Sequence, residues 1–299
     1  MIKIIDYNSG YIAEDIILLL GYFDGMHIGH QKLLQVARAK QKETGYKTAI
    51  MTFLGNKEKE VIYTLCERVY SFEQLQIEYC IIANFDDRFR SQSGEDFITH
   101  LTKICNLKGV ICGSDFSFGK GANAGVQALE EICKKHNIFS TVVELYTDSD
   151  GQYKHLKDKI STSTIKQKLK IGDLAEVERL LGSKYFIMGS VVKGNQLGRT
   201  INFPTANINL MPKKVMLKNG VYAVHVLYKD KYYRGIANLG EKPTVNGNTQ
   251  LLEVHIFDFN QNIYQEHIVV YFDKFIRDIQ KFENLQQLKN QIKKDIEQI

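Results

Sequence analysis

An unbroken apolar run that leads directly into a glycine-rich turn sets the strongest limit on how this chain folds. Residues 16–20 are all Ile or Leu and read as a buried strand. Gly21-Tyr22-Phe23-Asp24-Gly25-Met26-His27-Ile28-Gly29-His30 follows. Residues 31–42 then place Leu33, Leu34 and Ala37 on one helical face. Gly25 and Gly29 let backbone approach a ligand where a Cβ would collide. A helix start offers free N–H groups and a partial positive charge, which suits phosphate oxygens. His27 and His30 are three residues apart, so both imidazoles can face the same oxygens.

Such a turn suits attack on the α-phosphate of a nucleoside triphosphate, held in line while charge develops on the departing pyrophosphate. The competing reading is a strand–turn–helix with incidental histidines. Strand-like and helical runs alternate from residue 15 to about 145. Residues 47–53, 78–83, 108–112 and 141–145 read as strands, and 96–103 and 127–136 as helices. The alternation predicts a parallel, Rossmann-like α/β sheet with ligands beyond the carboxyl ends of its strands. A second glycine-rich strand exit, residues 110–121, carries Asp115, Phe116 and Phe118. The two aromatics can wall a flat ring and Asp115 can hydrogen-bond a heterocycle; core packing of both rings is the alternative. Ser161, Thr162 and Ser163 cluster at a helix start, where hydroxyls cap the helix or bind phosphate.

Residues 173–181 read as an amphipathic helix ending at Gly182, and strands dominate beyond it. The expected domains are 1–182 and 183–299. Residues 186–192, 221–228, 231–237, 251–257 and 267–272 read as sequential antiparallel strands, with turns at Lys229-Asp230 and Asn246-Gly247-Asn248. They predict a small closed barrel. Residues 284–299 place Leu285, Leu288, Ile292, Ile296 and Ile299 on one face of a helix expected to pack on that barrel.

Gly189, Gly194 and Gly198 precede Phe203-Pro204-Thr205-Ala206-Asn207. Their spacing suggests backbone laid against phosphates, but it is not that of a P-loop. The Thr205 hydroxyl and Asn207 amide share a face if extended and suit Mg²⁺; an ordinary strand Thr is the alternative. Alternation over residues 251–258 puts Glu253, His255 and Phe257 on one face and Leu252, Val254, Ile256 and Asp258 on the other. A carboxylate expected to face into a barrel is costly unless used or paired. Glu253 can take the proton from a primary alcohol as its oxygen attacks the γ-phosphate of ATP; a solvated strand face is the alternative.

The first turn resembles the His-x-Gly-His signature of the nucleotidyltransferase superfamily. Its longer form, Gly-x-Phe-Asp-Gly-x-His-x-Gly-His, resembles the bacterial bifunctional riboflavin kinase/FAD synthetase family. Residues 113–119 are similar to that family's Gly-x-Asp-Phe-x-Phe-Gly loop, on the flavin side of the adenylylation site. Residues 160–166 resemble Ile-Ser-Ser-Thr-x-Ile-Arg, which closes on ATP phosphates; Thr162, Ser163 and Lys166 replace the second Ser, the Thr and the Arg. A lysine supplies charge there without a guanidinium fork. Residues 198–207 resemble the riboflavin kinase signature ending Gly-Phe-Pro-Thr-Ala-Asn, with Asn202 in place of its glycine. The family's Leu-Glu-x-His motif assigns Glu253 as general base and His255 as a structural neighbour. Residues 235–244 are similar to Gly-x-Ala-x-x-Gly-x-Arg-Pro-Thr, with Lys242 for Arg. Residues 275–279 resemble Phe-Ile-Arg-x-Glu, with Ile279 for Glu. The resemblance places these parts on the flavin side, with Gly220 and Arg277 as contacts.

The resemblance implies two sites. The barrel makes FMN from riboflavin with ATP and Mg²⁺, using Glu253 as base. The α/β domain joins FMN to AMP from a second ATP, giving FAD and pyrophosphate, with His27 and His30 stabilising pyrophosphate departure. It implies nucleotide contacts at Gly21, Phe23, Asp24, Gly25 and Gly29. One departure stands out: where the family has Thr-Phe-Asp-Pro-His-Pro, this chain has Thr52-Phe53-Leu54-Gly55-Asn56-Lys57. Two alternatives follow, a kinase with a weakened or inactive adenylyltransferase half and a flavin-binding protein without turnover.

Net charge is +5 without a Lys/Arg cluster, which fits anionic small molecules and not nucleic acid. Five cysteines, none in a Cys-x-x-Cys pair, fit free thiols in a reducing cytoplasm. The N-terminus lacks a signal-peptide apolar region and no stretch approaches the roughly 20 residues of a membrane span. A cytoplasmic enzyme is expected; self-association is left open.

Overall fold

The computed structural model describes residues 1–55, 60–144, 160–194, 196–211, 213–244 and 247–299, excepting the side chains of 197, 242–244 and 247–249. Asn56 and Lys57 of the departing loop, Leu145, Asn195, Asn246 and the side chain of Lys242 therefore lie outside the described residues. The chain forms two compact units, Met1–Lys59 with Thr64–Thr162, and Glu60–Tyr63 with Ser163–Ile299.

The first unit runs β1 (Lys3–Asp6), β2 (Ile12–Leu20), α1 (Ile28–Thr44), β3 (Lys47–Leu54), α2 (Leu65–Gln74), β4 (Tyr79–Asn84), α3 (Asp87–Arg90), α4 (Gly94–Ile104), β5 (Cys105–Gly113), α5 (Val126–Lys135) and β6 (Phe139–Val143). All six strands pair in parallel in the order β1-β4-β3-β2-β5-β6. The apolar run of β2 is central because both its faces need cover. Ile16, Leu18 and Leu20 join one core, with Phe97 and Leu129. Ile17 and Leu19 join the other, with Leu33, Leu34 and Phe72. The chain leaves β2 toward β3 on one side and reaches β5 on the other. The turns after β2 and β5 thus emerge together at the switch point of the sheet, where such folds bind ligands.

The second unit begins with α6 (Thr162–Ile171) and α7 (Leu174–Leu181), the latter capped by Asp173 and ended by Gly182 at φ +66°. β7 (Phe186–Val192), α8 (Leu197–Thr200), β8 (Ala206–Ile208), β9 (Gly220–Tyr228), β10 (Lys231–Thr244), β11 (Gly247–Ile256) and β12 (His267–Arg277) follow, then α9 (Leu285–Ile296). The strands close an antiparallel barrel in the order β10-β11-β8-β7-β12-β9. Leu252, Val254, Val226 and Val270 are among its fully buried side chains. No helix among the described residues is long and apolar enough to cross a membrane.

Two expectations about this unit are corrected. Glu253 does not face inward: Leu252, Val254 and Ile256 fill the interior, while Glu253 and His255 are half-buried on the outer face. The helix α9 buries its apolar stripe only in part. Its buried residue is Asp295, while Leu285 is 46% exposed and Leu288, Ile292 and Ile296 are half-buried.

Candidate active sites

The turn after β2 builds the first site. Phe23 takes a left-handed backbone (φ +51°), rare for an aromatic, and its buried ring meets His30 and Phe72 edge-on. Phe23 thus anchors the turn in the core. Asp24, Gly25, His27 and Gly29 are buried behind it. Neither Gly25 nor Gly29 has a positive φ. A Cβ on Gly21 would meet the Phe23 ring at 3.0 Å.

His27 is the N-cap of α1: its Nδ1 accepts from the His30 backbone N–H at 3.3 Å. That fixes a tautomer with the proton on Nε2. The Nδ1 of His30 lies 2.7 Å from the Gly25 carbonyl and donates to it. The two rings stack with centroids 3.6 Å apart and planes 16° apart. Burial pushes His27 down to about 2, with the His30 ring adding to the effect. Burial pushes His30 down to about 4 against the Gly25 carbonyl and Asp115, which raise it. Both imidazoles are neutral at pH 7.

A cavity of about 1060 Å³ opens over this turn. His30, Gly21 and Phe23 border it, as do Asp115, Phe116 and Phe118 from the β5 exit, so these expected site residues meet. Phe116 and Phe118 stack at 5.5 Å; Phe118 is 8% exposed and also packs on Phe97, so its ring serves core and cavity together. Tyr22, Phe53, Phe85 and Phe89 form a further aromatic wall that the sequence reading missed.

Sequence reasoning also missed Arg68. This buried α2 guanidinium donates to Thr52 Oγ1 at 2.6 Å, to the Phe53 carbonyl at 2.9 Å and to the Tyr22 carbonyl at 3.4 Å. Thr52 Oγ1 donates to the same Tyr22 carbonyl at 2.8 Å. Arg68 therefore clamps the ends of β2 and β3 directly under the turn. The capping box Thr64–Glu67 that starts its helix was a readable signal for α2. Ser161 precedes α6, and Thr162 and Ser163 open it. The amine of Lys166 donates to the Glu60 carbonyl.

The barrel carries the second site on its outer face. Glu253 of β11 lies directly opposite Asn207 of β8 and Asn238 of β10. Asn207 is buried, and Gly194 presses on it: a Cβ there would lie 2.4 Å from Asn207 Nδ2. A Cβ on Gly198 would lie 2.1 Å from the Phe203 carbonyl. Only glycine allows this loop to close over Thr205 and Asn207. Asn202 holds φ +65°, which explains how it stands where the family has glycine. His255 holds the same segment through Nδ1 and the Pro204 carbonyl at 2.8 Å. Gly189 and Gly220 serve protein packing instead: a Cβ would strike Ile208 and the Asn209 carbonyl at Gly189, and Phe275 at Gly220.

A cavity of about 740 Å³ borders the glycine loop at Arg199, Asn202 and Thr205. Another, of about 1310 Å³, is lined by Asn238, the neighbour of Glu253, with Gly240, Asn219, Asp278 and Ile279. Asn219 Oδ1 is buried there without a hydrogen-bond partner among the described residues. Arg277, expected to contact flavin, has its guanidinium engaged by Asp295 and the Asp278 carbonyl.

Comparison with known proteins bears on both sites. A family model described as FAD synthetase matches residues 11–155, and one described as riboflavin kinase matches residues 181–299. The bifunctional riboflavin kinase/FMN adenylyltransferase of Haemophilus influenzae is 36% identical over 301 residues, covering 97% of this chain and 95% of its own. The Bacillus subtilis protein of the same name is 36% identical, covering 93% and 90%. A crystal structure from Streptococcus pneumoniae, described as a macrolide-efflux protein, superposes with a TM-score of 0.84 at 32% identity, over 99% of this chain and 98% of that one.

Proposed function

Because this chain belongs to the bifunctional riboflavin kinase/FMN adenylyltransferase family, we propose how its own residues divide two phosphate-transfer reactions. The enzyme phosphorylates riboflavin to FMN and adenylylates FMN to FAD, consuming ATP in each step. Matches to both family models over nearly the whole chain disfavour a kinase with an inactive first half and a flavin binder without turnover.

In the barrel, Glu253 takes the proton of the ribityl 5′-hydroxyl as that oxygen attacks the γ-phosphate, and ADP leaves. The observation that carries this assignment is the pairing of Glu253 with Asn207 across adjacent strands. It sets a base beside a polar corner suited to a phosphate-bound cation. Thr205 and Asn207 supply hard oxygens, and the glycines at 194 and 198 let the loop pack directly on Asn207 and the Phe203 carbonyl. They would hold Mg²⁺, which when bound offsets phosphate charge. The cavity at Asn238 takes the flavin, and the unpartnered Asn219 Oδ1 offers an acceptor to its imide N–H. The Gly194–Asn207 loop takes the nucleotide.

In the α/β unit, the FMN phosphate arrives already ionised and needs no base. Its oxygen attacks the α-phosphate of ATP and pyrophosphate departs. His27 donates its Nε2–H to the leaving group. His30 has its Nδ1–H committed to Gly25, so its Nε2 donates only after taking a proton, which the polyphosphate charge favours. Phe116 and Phe118 hold the flavin ring, with Asp115 beside it. Ser161 and Thr162, the last residues of that unit, serve the ATP phosphates. The five free thiols fit a cytoplasmic location, and the substrates are small molecules.

Product analysis with each flavin supplied separately tests both assignments. Glu253→Gln should abolish ADP release from riboflavin and ATP yet leave FAD formation from supplied FMN. His27→Asn should do the reverse. A Glu253→Gln enzyme that still makes FMN at the native rate removes the base assignment.

A further inference from the structure

The C-terminal helix α9 is held by a carboxylate. Asp295, 1% exposed, accepts from Arg277 Nε at 2.9 and 3.0 Å and from Arg277 Nη2 at 2.8 Å. Gln291 Nε2 donates to it at 2.8 Å. Such a bidentate pair, closed from water, is among the stronger polar contacts a protein makes, and removing one partner leaves a buried charge uncompensated. The apolar residues of α9 are half-buried at best, so the pair does what a hydrophobic stripe does in an ordinary docked helix.

Arg277 ends β12, and its third nitrogen, Nη1, donates to the Asp278 carbonyl at 3.0 Å. Asp278 and Ile279 are the next residues, and both line the cavity beside Asn238. Ile279 reaches Gly240 of β10, where a Cβ would lie 3.7 Å from its Cδ1. Lys218 Nζ pairs with Asp278 at 2.6 Å and lines the same cavity. The wall of the cavity is therefore tied at one end to the base-bearing sheet through Gly240, and at the other to α9 through a single guanidinium.

We propose that Asp295 is a positioning residue of the kinase: through Arg277 it seats α9 and holds Asp278–Ile279 as the wall against which the acceptor flavin binds. Arg277 then serves the flavin site without touching flavin. The inference rests on the reading of this cavity as the acceptor site.

Asp295→Asn keeps the shape of the side chain and removes its charge. A charge-assisted hydrogen-bonded pair is worth roughly one to two factors of ten in an equilibrium, so riboflavin affinity should fall by about 10- to 100-fold. Riboflavin binding is read by quenching of flavin fluorescence, without turnover, on the full chain. The KM for ATP in the kinase reaction and FAD formation from supplied FMN should stay within about threefold, the scatter expected of an uninvolved site. Hydrogen exchange should quicken in α9 and residues 277–282 while the barrel strands stay protected. Asp295→Glu, which keeps the charge, should recover part of the affinity. Faster exchange in α9 with unchanged riboflavin affinity overturns the proposal, because the helix would then be anchored without serving the site. Equal losses for riboflavin and ATP, with exposed barrel strands, overturn it too, in favour of general destabilisation. Native protein that binds no riboflavin at all instead refutes the acceptor-site reading, a separate result visible before any variant is made.

Discussion

Two stacked imidazoles kept neutral by burial make the first unit sensitive to acid in a calculable way. In the unfolded chain each histidine titrates near 6.5, whereas in the fold His27 is held at about 2 and His30 at about 4. Between pH 6.5 and 4 the unfolded state therefore binds two more protons than the folded one. Stability must rise with pH across that window and be lost as pH falls through it. Each extra proton contributes about 1.4 kcal/mol per pH unit, so the pair contributes about 2.7 kcal/mol per unit. Below pH 4 His30 charges in the fold as well, and only His27 continues the trend. Asp115 and the Gly25 carbonyl oppose the shift of His30, and they are already included in its value of about 4. Two pH units remove about 5 kcal/mol, comparable to the whole stability of a small domain. The assay is native-state hydrogen exchange of the slow amides of β2 and α1 at pH 7, 6 and 5, corrected for intrinsic rates, on native protein and on a His27→Asn/His30→Asn double variant. Carboxylates elsewhere titrate alike in both proteins, so the difference between them isolates the imidazoles. The double variant should lose far less stability on acidification. If both proteins lose stability in parallel, the imidazoles are not held neutral by the fold, and the assignment of Nε2–H on His27 falls with that conclusion.

Gly194→Ala should rotate the Asn207 amide out of the corner it shares with Thr205, since the new Cβ would lie 2.4 Å from Nδ2. Kinase kcat/KM for ATP should fall by about 10- to 100-fold with a raised Mg²⁺ requirement, while FAD formation from FMN is unchanged; intact kinase activity contradicts the corner. Arg68→Lys keeps a charge but cannot reach Tyr22, Thr52 and Phe53 together. It should destabilise the first unit by about 2 kcal/mol and slow adenylylation without touching riboflavin phosphorylation, as chemical denaturation and the two separate assays will show.

What the sequence disclosed was local. The run of β2 must be buried on both faces, and the turn after it carries its histidines within one helical turn, so strand, turn, helix and site could be read together. The strands of the barrel and the Gly194–Asn207 loop were readable for the same reason. The edge strand β1 was not, because Lys3–Asp6 is mostly exposed and owes its shape to pairing with β4, some 76 residues away at Lys3–Tyr79. The strand β8 has three residues and is held by β7 and β11 on either side. Alternation sorted β11 correctly into two faces, but which face is inside depends on the register with β8 and β10. There Leu252 meets Ile208 and Leu239, and these close the interior. The helical wheel of α9 found the inward face, since Leu288, Ile292 and Ile296 are half-buried around Asp295, but periodicity counts apolar residues and cannot see that a carboxylate will meet a guanidinium.

The contrast between the two sites follows from the state in which each nucleophile arrives. A phosphate monoester is already an anion, so adenylyl transfer asks the protein for alignment and for donors toward the leaving group. In the proposed assignment, backbone amides at a helix start and the uncharged His27 imidazole provide these without neutralising the nucleophile. A ribityl alcohol must lose a proton as it attacks, so the kinase needs a carboxylate within reach of the hydroxyl and of the cation-bound phosphate. If Glu253 is that base, a strand meets the demand well, because cross-strand register fixes Glu253 against Asn207 more rigidly than a loop does. The outer barrel face keeps the carboxylate half-solvated and so avoids the cost that an interior position would impose. Because the two solutions share no residue, a substitution that silences one reaction and spares the other reports on its own site, which is why separate supply of riboflavin and FMN can judge each assignment alone.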